Sequence, residues 1–269
     1  MRAKKSFGQH FLHNEGTAAR IAGSLRMVES VPRILEVGPG KGMLTKHLME
    51  MVADFRAVEA DADMVRYLSD RYPTLEGKVI SGDFLRLDLG TVFGDGAGAP
   101  FLLIGNFPYN ISSQIVFRML AYRDWVPEMV GMFQREMAVR IAAAPGSKDY
   151  GIISVLAQAW YRGEYLFTVG PREFTPPPKV QSAVIRLTRL GEGPACDERL
   201  LVRVVRQAFG QRRKMLRNTM KAFFRDPAVL AEPFFALRPE VLSVADFVAL
   251  TNRIMREGNY DVVSGEESV

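Results

Sequence analysis

Short apolar runs recur along the first two thirds of the chain and alternate with stretches in which apolar residues return every three or four positions. The runs Ile34–Val37, Phe55–Val58, Val79–Ser81, Phe101–Ile104 and Met129–Met132 predict strands buried on both faces, and the intervening periodicity predicts helices. That alternation is the signature of an α/β fold with a parallel sheet. Two later strands are expected near Tyr165–Val169 and Ala183–Leu187, separated by the loop at Pro176-Pro177-Pro178, which suits an antiparallel hairpin at the sheet edge. Gly191-Glu192-Gly193-Pro194 reads as a linker. Beyond it the pattern predicts short helices over Asp197–Phe209, Arg212–Phe224 and Ser243–Arg256, the last opened by a capping-box-like Ser243 and Asp246. The expected organisation is therefore an α/β domain over 1–189, a small helical domain over 190–256, and an acidic tail over 257–269 without fixed structure.

Composition narrows this picture in three ways. With 269 residues, 48% of them hydrophobic, the chain can bury one full α/β core and a small appendage. Its single cysteine, Cys196, argues for a reducing, cytoplasmic setting without a disulfide framework. No apolar run approaches a membrane span, and the basic start lacks the apolar stretch of a signal peptide. Three histidines, His10, His13 and His47, show no metal-ligand spacing, so no metal site is expected.

The charge of +5 is unevenly spread. Nine basic residues and no acidic one lie between Arg199 and Arg225, among them Arg206, Arg212, Arg213, Lys214 and Arg217. Such a run is either a solvated helix face or a phosphate-binding surface. Arg2, Lys4 and Lys5 form a second, smaller basic cluster.

Candidate chemistry sits at the carboxyl ends of two expected strands, where open α/β sheets bind ligands. Asn106-Phe107-Pro108-Tyr109 follows the strand ending at Ile104-Gly105. Its side-chain amide, proline carbonyl and aromatic ring offer a planar, amino-bearing base two acceptors and a stacking face, although Asn and Pro also shape ordinary turns. Earlier, Arg33–Val37 runs into Gly38-Pro39-Gly40-Lys41-Gly42 and then the amphipathic stretch Met43–Met49. Lys41 is followed by glycine rather than Ser or Thr, which rules out a Walker A loop, and Met43 replaces the third glycine of a dinucleotide fingerprint. Glu59, closing the next strand, stands where a carboxylate binds ribose hydroxyls. Asp83, in Ser81-Gly82-Asp83-Phe84, is a third candidate. Together these residues describe a nucleoside site.

Several separate segments resemble the S-adenosylmethionine-dependent rRNA adenine N6,N6-dimethyltransferases, which modify two adjacent adenosines near the 3′ end of small-subunit rRNA. Ser6-Phe7-Gly8-Gln9-His10-Phe11-Leu12 is similar to that family's amino-terminal cofactor motif, Glu36–Gly42 to its glycine turn, and Asn106–Tyr109 to its catalytic loop. Phe174–Val184 and Phe209–Leu216 resemble its two later signatures. Phe107 departs from the usual Leu, and its side chain is expected to point into the core.

The resemblance implies a Rossmann-like methyltransferase sheet, with S-adenosylmethionine as cofactor and a helical RNA-binding domain. It places Gln9, His10 and Leu12 over the cofactor, Gly38 and Gly40 beside its amino-acid part, Glu59 on its ribose and Asp83 on its adenine, with Asn106 adjoining. It implies that Asn106 Oδ1 and the Pro108 carbonyl accept the hydrogens of the target N6, while Tyr109 and Phe174 cover the two faces of the flipped base. Arg206, Arg212, Arg213, Lys214 and Arg217 would hold small-subunit rRNA or an immature 30S subunit, and the expected form is a monomer. Two alternatives stand beside this reading: a relative acting on another rRNA adenine or on DNA, and a binding factor for ribosome assembly without catalysis.

Overall fold

A computed structural model describes residues 9–94, 98–224 and 226–259. Ser6–Gly8 of the amino-terminal motif, the basic cluster Arg2, Lys4 and Lys5, Arg225, and all but the start of the acidic tail lie outside the described residues.

Seven strands form one sheet: β2 (Arg33–Val37), β3 (Asp54–Glu59), β4 (Val79–Ser81), β5 (Leu102–Asn106), β6 (Glu128–Gln134), β7 (Tyr161–Val169) and β9 (Ser182–Arg189). Their order is β4-β3-β2-β5-β6-β9-β7. The first five run parallel, and β9 lies antiparallel between β6 and the edge strand β7. The expected parallel sheet with an antiparallel hairpin at its edge is what forms. Helices α1 (Glu15–Ala22), α2 (Thr45–Met51), α3 (Ala62–Arg71) and α4 (Ser112–Ala121) accompany it, and α5 (Arg135–Ile141) follows β6 directly. Because the chain leaves β2 toward β3 on one side and returns as β5 on the other, the sheet's switch point lies between the carboxyl ends of β2 and β5.

A separate two-stranded ribbon pairs β1 (Phe11–Leu12) with β8 (Phe174–Thr175), setting Leu12 opposite Phe174. Both residues are buried in the core under the sheet, together with Val169 and Val184.

The chain divides into two compact units, 1–139 with 161–189, and 140–160 with 190–269. The expected boundary put 140–160 in the first domain, whereas by its contacts this segment groups with 190–269. Helix α6 (Ile152–Trp160) lies between α5 and β7 in the chain. It is apolar almost all round and buries Ile153, Val155, Leu156, Ala159 and Trp160. Gln158 Nε2 donates to the carbonyls of Ile141 and Ala143 at 3.1 and 2.8 Å, and Trp160 Nε1 reaches Glu198 Oε1 at 3.3 Å.

Within the second unit, α7 (Glu198–Gly210) is capped by Asp197, whose side chain accepts from Leu200 N at 2.7 Å. It buries Leu200, Leu201, Val204, Val205 and Ala208 and leaves Arg199 and Arg206 exposed. Helix α9 (Val244–Glu257) opens with the expected capping box between Ser243 and Asp246. The helix expected over Arg212–Phe224 does not form as such. After α7 the chain turns through Gln211–Lys214, and only Leu216–Thr219 (α8) and a 3-10 turn at Lys221–Phe223 are helical. Gln211–Lys214 offers no apolar side chain to continue the buried stripe of α7, and helical structure resumes where Leu216, Thr219, Met220 and Phe223 can be buried.

Candidate active site

The cofactor side of the site is built by local sequence. At the end of β2 the backbone must reverse, and Gly38 and Gly40 do so at φ +69° and +55°, a region that side chains disfavour. Gly40 is also tight against the amino-terminal ribbon: a Cβ there would lie 3.2 Å from the Phe11 ring. At Gly38 an added Cβ would meet nothing within 4 Å, so the turn faces open space.

That space is a cavity of about 360 Å³ at the switch point, lined among others by Gln9, His10, Leu12, Gly38, Gly40, Glu59, Asp83, Asn106, Pro108 and Tyr109. Residues scattered from position 9 to position 109 thus line one cavity.

Glu59 is 7% exposed and held from both sides by backbone. Gly40 N donates to Oε2 at 3.1 Å and Asp61 N to Oε1 at 2.9 Å. Burial raises its pKa, and these backbone donors act in the opposite direction. Each oxygen keeps a lone pair for a further donor, which suits two neighbouring ribose hydroxyls.

Asp83 lines the cavity but is half exposed. Its Oδ1 accepts from Leu85 N at 2.9 Å, and Arg86 Nε lies 3.7 Å from Oδ2. It is a turn cap with one oxygen to spare.

Two acidic residues, one lining this wall and one behind it, were not singled out from the sequence. Glu36, in β2, is 1% exposed and lines the cavity. It accepts from Thr45 Oγ1 at 2.7 Å, and burial, with a smaller push from Glu59, raises its pKa to about 8 against the lowering effect of that hydroxyl. Asp61 caps α3 and takes Gln9 Nε2 on Oδ2 at 3.0 Å, which ties the amino-terminal motif to the end of β3. An acidic residue at the last turn of a strand and one at a helix start were the available signals.

The opposite wall is assembled from distant segments. Asn106 Nδ2 donates to the backbone carbonyl of His10 at 3.1 Å. Because that partner is a pure acceptor, the amide's orientation follows from chemistry, and Oδ1 is the atom left to accept. The His10 ring stacks on Tyr109, centroids 5.5 Å apart and planes 26° apart. Its Nδ1 lies 2.9 Å from the Pro176 carbonyl, which assigns the proton to that nitrogen. The Tyr109 hydroxyl pairs with Ser182 Oγ at 2.6 Å, and burial raises its pKa despite that bond. Pro108 opens a 3-10 turn in which its carbonyl takes Ile111 N at 3.3 Å, leaving a second lone pair. Neither Pro176 nor Ser182 was marked as a site residue by its own motif.

Phe174 does not line the cavity of this structure. It is 2% exposed and absent from the cavity wall, because β8 pairs with β1 and turns its ring into the core beside Leu12. Its role is to seat the strand that carries His10 and Leu12. Phe107, by contrast, points into the core as expected, at 1% exposure.

Of the basic residues, Arg206, Arg213, Lys214 and Arg217 are exposed on the second unit. Arg212 is half-buried and donates to the Ser147 carbonyl at 3.2 Å, pinning the turn after α7.

Comparison with known proteins agrees with this geometry. The chain is 50% identical over 253 residues to the ribosomal RNA small subunit methyltransferase A of Parabacteroides distasonis, covering 93% of each. It is likewise 50% identical over 255 residues to the protein of that name from Porphyromonas gingivalis, covering 93% of this chain and 97% of the relative. Among solved structures, a dimethyladenosine transferase from Plasmodium falciparum shares the fold with a TM-score of 0.74 at 22% identity, over 93% of this chain and 99% of that one. The 23S rRNA methyltransferase ErmE does so at 0.68 and 24%, over 91% and 99%. The family model for ribosomal RNA adenine dimethylase matches residues 1–252. With the motifs converging on one cavity at the switch point, the chain belongs to this family of S-adenosylmethionine-dependent rRNA methyltransferases.

Proposed function

We propose that the protein dimethylates N6 of two adjacent adenosines in a hairpin near the 3′ end of small-subunit rRNA, and that it works as a monomer in the cytoplasm on rRNA or an immature 30S subunit. The observation that carries this reading is the meeting, in one cavity, of the Glu59 wall and the Asn106–Tyr109 loop. The residues present fit the cofactor. Gly38 leaves open space for its amino-acid part, Glu59 presents lone pairs to its ribose, Asp83 has an oxygen to spare for its adenine amine, and Gln9, His10 and Leu12 close the wall.

When bound, S-adenosylmethionine supplies an electrophilic methyl group on a sulfonium. The protein's task is to make the adenine amine nucleophilic. That nitrogen's lone pair is delocalised into the ring, and acceptors on its two hydrogens favour the pyramidal form in which the pair is localised. Asn106 Oδ1 and the second lone pair of the Pro108 carbonyl are those acceptors. Tyr109, held by Ser182, supplies a stacking face for the flipped base. The N6 proton passes to solvent, and in-line positioning provides the rate without a strong general base.

On the second unit, Arg206, Arg212, Arg213, Lys214 and Arg217 would hold RNA phosphates. The relatives at 50% identity are named for the small subunit, which favours that substrate over another rRNA or DNA. Incubating the protein with labelled S-adenosylmethionine and unmodified small subunits, then mapping the label, tests the reading. Two adjacent dimethylated adenosines near the 3′ end are expected, and label elsewhere or none would contradict it.

A further inference from the structure

Strands β5 and β6 pair with Gly105 directly opposite Gly131. Two neighbouring positions in the sheet therefore lack a side chain, and the ring of Phe107 fills the notch. A Cβ at Gly131 would lie 2.3 Å from Phe107 Cε2 and 2.5 Å from Phe133 Cε2. One at Gly105 would lie 2.8 Å from Phe107 Cε1 and 2.5 Å from the Val37 carbonyl oxygen, at the entry to the glycine turn. The rings of Phe107 and Phe133 pack at 5.0 Å with planes at 58°. The backbone N–H of Phe107 donates to the Met132 carbonyl at 3.1 Å. Side chain and backbone of one residue are thus both fastened to β6, and the residues on either side of it, Asn106 and Pro108, are the two acceptors assigned to the target amine.

We propose that Phe107 is a positioning residue, whose ring, seated in the Gly105–Gly131 notch, sets the separation of the Asn106 amide from the Pro108 carbonyl. It touches no substrate and acts only through its neighbours. The inference rests on the assignment of Asn106 and Pro108 as acceptors. A methyl group at Gly131 would have to displace the ring by roughly 1 Å to reach ordinary van der Waals contact, and a shift of that size in a reacting group costs on the order of 100-fold in rate. The two glycines make separable demands. The three atoms nearest a side chain at Gly131 belong to the rings of Phe107 and Phe133, whereas at Gly105 the nearest is the backbone oxygen that leads into the cofactor turn.

The test compares Gly131→Ala, the double variant Phe107→Leu/Gly131→Ala, and Asn106→Ala on rRNA substrate, measuring kcat, KM, S-adenosylmethionine affinity and melting temperature. Leucine at 107 lacks the Phe107 ring atoms that the new methyl would strike, while the contact with Phe133 Cε2 is the same in both variants, so the difference between them reads the part that runs through Phe107. Gly131→Ala is expected to lower kcat by about 10–100-fold with KM for RNA and cofactor affinity within about twofold of wild type. The double variant should recover at least about tenfold of that loss. Wild-type turnover in Gly131→Ala, loss of cofactor binding in parallel with turnover, or a double variant that regains its melting temperature but not its kcat would each overturn the proposal. Near-normal turnover in Asn106→Ala would instead overturn the catalytic reading on which it rests, so the two failures are distinguishable.

Discussion

The two walls of the cavity are built differently. The cofactor wall runs from β2 through the glycine turn to Glu59 in one short stretch of chain, and its key carboxylate is oriented by backbone N–H groups at 3.1 and 2.9 Å. The base wall is held by side-chain bonds between segments far apart in sequence: Asn106 to the His10 carbonyl, His10 to the Pro176 carbonyl, and Tyr109 to Ser182. Backbone donors survive every substitution but proline, whereas these three fastenings of the base wall each depend on a particular side chain. The difference predicts that cofactor binding is robust and that catalysis is the property most exposed to single substitutions.

Breaking the base wall should therefore have the largest effect. Asn106→Ala removes an acceptor for the N6 hydrogens and the bond to His10, and turnover should fall by about 100-fold or more, as for other preorganised hydrogen-bond partners. Steady-state methyl transfer to rRNA measures it. Breaking the cofactor wall requires the carboxylate itself: Glu59→Ala should weaken S-adenosylmethionine by roughly 1.5–3 kcal/mol, the loss of a charge-assisted pair of bonds, with kcat at saturating cofactor affected far less.

A third prediction sharpens the comparison through pH. Burial raises the Glu36 carboxyl from 4.5 to about 8. Between those values the folded chain keeps a proton that the unfolded chain has lost. The stability Glu36 contributes is thus complete below pH 4.5 and lost as pH rises toward 8. Unfolding by urea should show wild type losing stability relative to Glu36→Gln by up to about 1.4 kcal/mol per pH unit across that window, and a constant difference would refute it. The fourth concerns charge that neither wall uses. Replacing Arg212, Arg213 and Lys214 by Ala should leave cofactor binding unchanged and lower the slope of log RNA affinity against log salt by about 0.7–0.9 for each phosphate no longer neutralised. Because Arg212 also donates to the Ser147 carbonyl, melting temperature is the control.

The same contrast explains what the sequence discloses. Strand, glycine turn and Glu59 follow one another along the chain, so hydrophobic period and spacing suffice to read them. Asn106, Pro108 and Tyr109 are legible because they too are contiguous. Ser182 and the Pro176 carbonyl are not, since only the pairing of β1 with β8 and the place of β9 beside β6 bring them to the cavity. The burial of Phe174 has the same origin: an aromatic residue in a motif loop looks exposed in the sequence, and only the pairing of β8 with β1 turns its ring inward. Helix α6 is apolar almost all round, and nothing in its own residues says that its partners are α7 and α9. Gln211–Lys214 has good helix formers but nothing to bury, so propensity there yields to packing.

The division between the walls is tested most directly by titration calorimetry of S-adenosylmethionine into wild type, Asn106→Ala and Glu59→Ala under one set of conditions. The account predicts that Asn106→Ala binds within about threefold of wild type while Glu59→Ala binds at least about tenfold more weakly. Equal affinities in wild type and Glu59→Ala, or a loss in Asn106→Ala as large as that in Glu59→Ala, would contradict it.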